Sequence, residues 1–188
     1  MNTFIIRDVR LDGWRPAGDV VEVDSATPLG WIVDCINDRG KKAGGDLKVI
    51  IMCHGLPGFL MCANGAAPHP TAGNGITVND LATFARIKGS LKRLEFYACL
   101  VARIGSCPEC DGQIGYDGNF FCYRMAQTID AEVKASIHLQ YYYDGTVGRW
   151  IFRRPDGVGI NFGEWNGRVF TWGPKGNIIE MRDYPYQD

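Results

Sequence analysis

Apolar residues in this chain fall in short blocks divided by glycine, proline and charged positions, and the blocks alternate between two periodicities. Residues 3–7 and 19–23 are brief and β-branched, which predicts strands. Leu29, Ile32, Val33 and Ile36 then recur at helical spacing. Ser25 or Thr27 is the expected cap, Pro28 stands near the first turn, and Arg39-Gly40 with Lys41 and Lys42 closes the helix. Residues 47–53 (LKVIIMC) form an almost unbroken apolar run, the pattern of a strand buried on both faces of a parallel sheet. Residues 59–63 read as a hairpin return and 64–77 as a loop. A second helix is expected from a Thr77 or Asn79 cap to about Lys88, with Leu81, Phe84 and Ala85 inward, ended by Gly89. Residues 91–97 (LKRLEFY) predict another strand and 104–118 another loop. A third helix is expected over 120–129 behind an Asn119 cap, then a strand at 132–136.

Residues 20–137 therefore alternate β, α, β, α, β, α, β, which argues for an α/β fold with a mostly parallel sheet and helices on both faces. The tail is different. Blocks at 150–153, 158–162, 168–172 and 177–181, punctuated by Gly163, Asn166-Gly167 and the GPKG run at 173–176, predict a meander of β-hairpins. Such a meander either extends the sheet edge or forms a small subdomain. With no clear linker, the expected organisation is a single domain over 1–188, with its core at about 19–140 and a β-rich extension at about 141–188.

The chain has 188 residues, 46% of them hydrophobic and 22% charged, which excludes disordered, collagen-like and coiled-coil classes. A net charge of −1 with no basic run gives no footprint for nucleic acid or an anionic membrane. The longest apolar run, at 96–102, stops at Arg103, far short of the ~20 residues that span a bilayer. The N-terminus lacks signal-peptide features, and seven scattered cysteines do not suggest a disulfide scaffold. A cytoplasmic location is expected, with export by a non-Sec route left open.

The candidate chemistry lies where two apolar strands end. One runs into His54-Gly55 and the other into Ala98-Cys99. Ligand sites in open parallel sheets lie beyond the carboxyl ends of the strands, so neighbouring strands would bring His54 and Cys99 to one rim. There, a cysteine sulfur attacks a carbonyl carbon and an imidazole handles the proton. The N–H groups of Gly55 and Cys99 are the candidate oxyanion donors.

These paired motifs resemble the caspase-like superfamily of cysteine peptidases, which includes caspases, legumains, clostripain, gingipains, separase and self-processing toxin domains. The resemblance covers about residues 47–137 and is nearer to divergent bacterial members. It implies a caspase-like three-layer fold and a Cys99/His54 dyad that hydrolyses peptide bonds with no metal or organic cofactor. It also implies a protein or peptide substrate, with activity gated by a partner, a ligand or cleavage within the 100–118 loop. Residues 133–136 resemble the family strand that helps wall the substrate pocket, which makes Ala135 and Ser136 candidate substrate-binding residues. Asp144 is a further candidate as one of several loop carboxylates (with Glu109, Asp111 and Asp117) that would suit a Lys or Arg side chain. The YACL sequence at 97–100 departs from the animal caspase pentapeptide, so an aspartate preference does not carry over.

Plainer readings stand beside these. Cys99 is also an ordinary core cysteine, His54 a structural histidine and Gly55 a tight-turn residue. On those readings the chain is a catalytically silent caspase-like module that binds a protein partner through its aromatic tail. Cys107 and Cys110 form a lone CxxC, which is half of a zinc site without a second pair. His69 and His138 read as surface or structural residues.

Overall fold

The computed structural model describes residues 1–11, 16–65, 74–104, 117–140 and 165–185. Its centre is a seven-stranded sheet in the order β2 (Asp19–Val23), β1 (Asn2–Asp8), β3 (Leu47–Met52), β6 (Arg93–Tyr97), β7 (Glu132–Ser136), β8 (Arg168–Trp172), β9 (Ile178–Asp183). The first five are mutually parallel, and β8 and β9 add antiparallel. A separate hairpin pairs β4 (Gly55–Leu56) with β5 (Phe59–Leu60). The tail strands at 168–172 and 178–183 thus extend the sheet edge. The strands expected at 150–153 and 158–162 lie outside the described residues.

Three helices, α1 (Leu29–Lys42), α2 (Leu81–Phe84) and α3 (Gly118–Ile129), contact one another over one sheet face. There they bury Phe4, Ile6, Val49, Ile51, Leu94, Phe96, Val133 and Ala135, the alternate positions of four strands. The expectation that these helices divide between both faces is corrected. The β2-to-β3, β3-to-β6 and β6-to-β7 crossovers all step the same way along the sheet, and right-handed connections stepping one way place their helices on one side. The β1-to-β2 step runs the other way, and its Leu11 packs on the opposite face with Ile5, Ile50, Met52, Tyr97, Trp165 and Val169.

Helix starts also depart from expectation. Neither Ser25 nor Thr27 caps α1, whose N-cap position is Pro28 with no side-chain bond. The Thr27 hydroxyl instead closes a turn with Asp24, accepting from its N–H at 2.9 Å and donating to its carboxylate at 2.8 Å. Thr77 caps the second helical segment as expected, in a reciprocal capping box with Asp80. That segment is α2 flanked by 3₁₀ turns at Val78–Asp80 and Ala85–Ile87. The cap of α3 is Asp117, whose carboxylate accepts the Phe120 N–H at 2.9 Å. Asn119 lies inside the helix and accepts the Trp172 indole N–H at 3.1 Å.

Candidate functional site

Strands β3 and β6 pair directly, with Met52 opposite Tyr97, and the Cys53 N–H still reaches the Tyr97 carbonyl at 3.3 Å. The chain beyond each strand therefore emerges on the same rim. His54 is exposed there and Cys99 is half-buried. Gly55 is packed so closely that a Cβ would lie 2.7 Å from the Cys99 carbonyl oxygen and 3.0 Å from the Ala98 Cβ. The two dipeptides singled out by sequence are thus neighbours.

After Cys99 the chain turns sharply. Leu100 has φ of +60°, a left-handed conformation that is unusual for a bulky residue, and such outliers gather at functional sites. Its N–H donates to the His138 carbonyl at 3.0 Å, and the Ala102 N–H donates to the Ser136 carbonyl at 3.0 Å. The turn is therefore tied to the segment leaving β7. That segment also meets the sulfur: the Gln140 N–H donates to Cys99 Sγ at 3.4 Å, and Sγ lies 3.5 Å from the Gln140 carbonyl oxygen as a donor. Burial pushes the Cys99 thiol up, partly offset by the Gln140 N–H, so the resting sulfur is a thiol rather than a thiolate.

His54 sits on the β4–β5 hairpin, where its carbonyl accepts the Met61 N–H at 2.9 Å. The hairpin is held to the end of β1 by Arg10. Its guanidinium binds the fully buried Asp8 carboxylate at 2.6 and 2.9 Å and also donates to the Met61 carbonyl. Two steps further along the hairpin register, Cys53 faces Cys62. Both are wholly buried, and burial holds the Cys53 thiol well up, so Cys53 is not a ready nucleophile.

The structure places Ala135 and Ser136 inside the protein. Both are fully buried, Ala135 in the helix-side core, while the Ser136 hydroxyl lies 3.2 and 3.1 Å from the Asn166 and Arg168 carbonyls and accepts the His138 N–H at 3.0 Å. They fix the path of residues 137–140 rather than presenting an open wall. Asp144, Glu109, Asp111, His69, Cys107 and Cys110 lie outside the described residues. Among the described residues, no group of three or more His, Cys, Asp or Glu side chains is arranged to hold a metal ion, and no helix is long and apolar enough to cross a membrane.

Beneath the rim, on the face opposite the helices, Tyr97 packs on Trp165 at 4.2 Å between centroids. Lys134 lies over Trp165 and Tyr184 and donates to the Tyr184 hydroxyl at 3.2 Å. Sequence reasoning missed Asp8, Arg10, Lys134, Gln140 and Asn166. Arg10, Lys134, Gln140 and Asn166 act through partners distant in sequence, and Asp8 acts through Arg10, so no local spacing announces their roles. Compared with family models, curated proteins and solved structures, the chain matches none.

Proposed function

We propose that the protein is a cysteine endopeptidase of caspase-like type, with Cys99 as nucleophile and His54 as acid and base. The observation that carries this reading is the convergence of the His54-Gly55 and Ala98-Cys99 backbones on one rim of paired parallel strands. Cys99 Sγ attacks the peptide carbonyl carbon as its proton passes to His54. His54 then protonates the departing amine, which leaves a thioester on Cys99. Water attacks the thioester, His54 takes the water proton, and the thiol is restored as the acid product leaves. The Gly55 and Cys99 N–H groups serve the oxyanion of both tetrahedral states. The substrate is a protein or peptide, no metal or organic cofactor enters the steps, and a partner, a ligand or cleavage within the 100–118 loop serves as activator.

A peptide library incubated with the parent protein, Cys99→Ala and His54→Ala tests the reading, with adducts of a peptidyl chloromethyl ketone mapped by mass spectrometry. Cleavage by the parent, a loss on the order of 10³-fold or more in either variant, and an adduct on Cys99 are expected. Cleavage by Cys99→Ala at the parent rate rejects it.

A second reading, the catalytically silent partner-binding module, has its own observation. Ile178, Ile179 and Met181 on β9 are each half or more exposed. Ile178 also lines a groove of about 460 Å³ with Ile104, Asn119, Ile137, Phe170 and Trp172. Absence of both cleavage and a Cys99 adduct, in folded protein, favours that module.

A further inference from the structure

We propose that Gln140 is the positioning residue of the Cys99 thiol: its side-chain amide, clasped by Asn166, holds its own peptide over the sulfur as a cap. The consequence for catalysis rests on the peptidase reading above, but the clasp itself does not.

The side chain and main chain of Gln140 have separate roles. Its main chain holds the sulfur from both sides of one residue, with N–H to Sγ at 3.4 Å and the carbonyl oxygen 3.5 Å from Sγ. Its side chain is locked in a buried network. Oε1 accepts the Asn166 N–H at 3.0 Å, and Nε2 lies 2.9 Å from the Asn166 carbonyl, 3.0 Å from that of Leu139 and 3.2 Å from that of His138. The Asn166 side chain returns a bond to the Leu139 carbonyl at 3.0 Å. Gln140 is 5% exposed and Asn166 1%. The glutamine amide therefore pairs with the Asn166 main chain much as a neighbouring strand would.

Chemistry selects glutamine here. One planar group must offer an acceptor to an N–H and donors to carbonyls, which only a side-chain amide does; glutamate would set an acceptor-only carboxylate against three carbonyl oxygens. The clasp matters to the thiol because residues 138–140 have two attachments. The Leu100 N–H binds the His138 carbonyl on the nucleophile side, and Asn166, just before β8, holds the other. Together they fix the sulfur's surroundings. Burial raises the thiol and the Gln140 N–H lowers it, burial being the larger influence; on this proposal the cap supplies part of that burial, and lifting it eases ionisation.

The test is the pH dependence of iodoacetamide alkylation at Cys99, read by mass spectrometry on the full chain, with Cys35 as the internal reference. In Gln140→Ala, and in Gln140→Met, which keeps much of the volume without the amide, Cys99 is expected to alkylate about tenfold faster near neutral pH, because a thiol opened to water gives up its proton more readily. Cys35 should be unchanged, and peptide cleavage should fall because the sulfur has lost its fixed place. An unchanged Cys99 profile in a folded variant overturns the proposal. If neither variant folds, hydrogen exchange decides. The Gln140 amide should exchange faster in Cys99→Ala than in the parent, because its acceptor is gone, and equal rates overturn the cap. Alkylation and exchange use no substrate, so a protein inactive toward every peptide can still display the cap. Conversely, an active peptidase without the cap leaves the Cys99/His54 reading standing.

Discussion

A methyl group at position 55 would meet the Cys99 carbonyl oxygen at 2.7 Å, the Val101 Cγ2 at 2.9 Å and the Ala98 Cβ at 3.0 Å. The first of these is backbone and cannot swing aside, so Gly55 is required for close approach as well as for any turn it permits. Gly55→Ala is expected to cost about 1–3 kcal/mol through overpacking and to lower Tm by several degrees. A thermal melt within a degree of the parent's would contradict the packing described. The residues legible in the sequence are those that end an apolar run, His54-Gly55 and Ala98-Cys99, because a buried strand's end is marked where its apolar run stops. Gln140 was not legible, since it meets Cys99 across 41 positions and Asn166 across 26. Arg10 reaches the Met61 carbonyl across 51. Contacts of that range are set by strand order, which no local pattern encodes.

Strands and helices were legible as elements, and the residues that cap the helices were less so. The strands expected at 132–136 and 168–172 match β7 and β8 residue for residue. The start of α3 departs from expectation because Asn119 has the character of a cap and Gly118 that of a loop residue. Gly118 lies inside the helix at a place where only hydrogen fits: a Cβ would lie 2.1 Å from the Val101 carbonyl oxygen. With Asp117 as the cap, Asn119 is left to bond the Trp172 indole. Two substitutions separate these roles. Asp117→Ala is expected to cost about 1 kcal/mol by urea unfolding, the usual loss of a helix cap. Asn119→Ala should cost about 1–3 kcal/mol, because it strands the N–H of a fully buried tryptophan, and should shift tryptophan fluorescence, which the cap variant leaves alone. Equal fluorescence in the two variants would rule out this division of labour. The placement of the helices was beyond the sequence for a different reason. Alternation of β and α predicts crossovers, but the face each helix takes depends on the direction of each step along the sheet. The insertion of β1 between β2 and β3 could not be read from the apolar pattern.

At the scale of the whole molecule, the core contains thiols that cannot ionise where they lie. Cys53 and Cys122 are fully buried among apolar side chains, and burial pushes both well above the ordinary thiol value. In the unfolded chain the same thiols ionise near pH 8.5. Because the folded value is the higher one, the folded state holds its protons where the unfolded state has released them. The associated stability is complete below about pH 8.5 and declines as pH rises toward the folded values. Each such thiol, once ionised in the unfolded chain, steepens the fall by up to about 1.36 kcal/mol per pH unit, and Cys99, also pushed up by burial, acts in the same direction. Tyr97, pushed up by burial and by Glu95, adds to the decline above about pH 10. Urea unfolding from pH 7.5 to 10 should therefore show a stability plateau followed by a steep alkaline fall. Cys122→Ala should start lower, having lost core volume, yet fall less steeply between pH 9 and 10, by up to about 1.36 kcal/mol per pH unit, because one of the linked protons is gone. A parent profile that stays flat across that window would mean these thiols reach water in the native state, and the helix-covered face of the sheet could not then be as tightly closed as the packing around Cys53 and Cys122 requires.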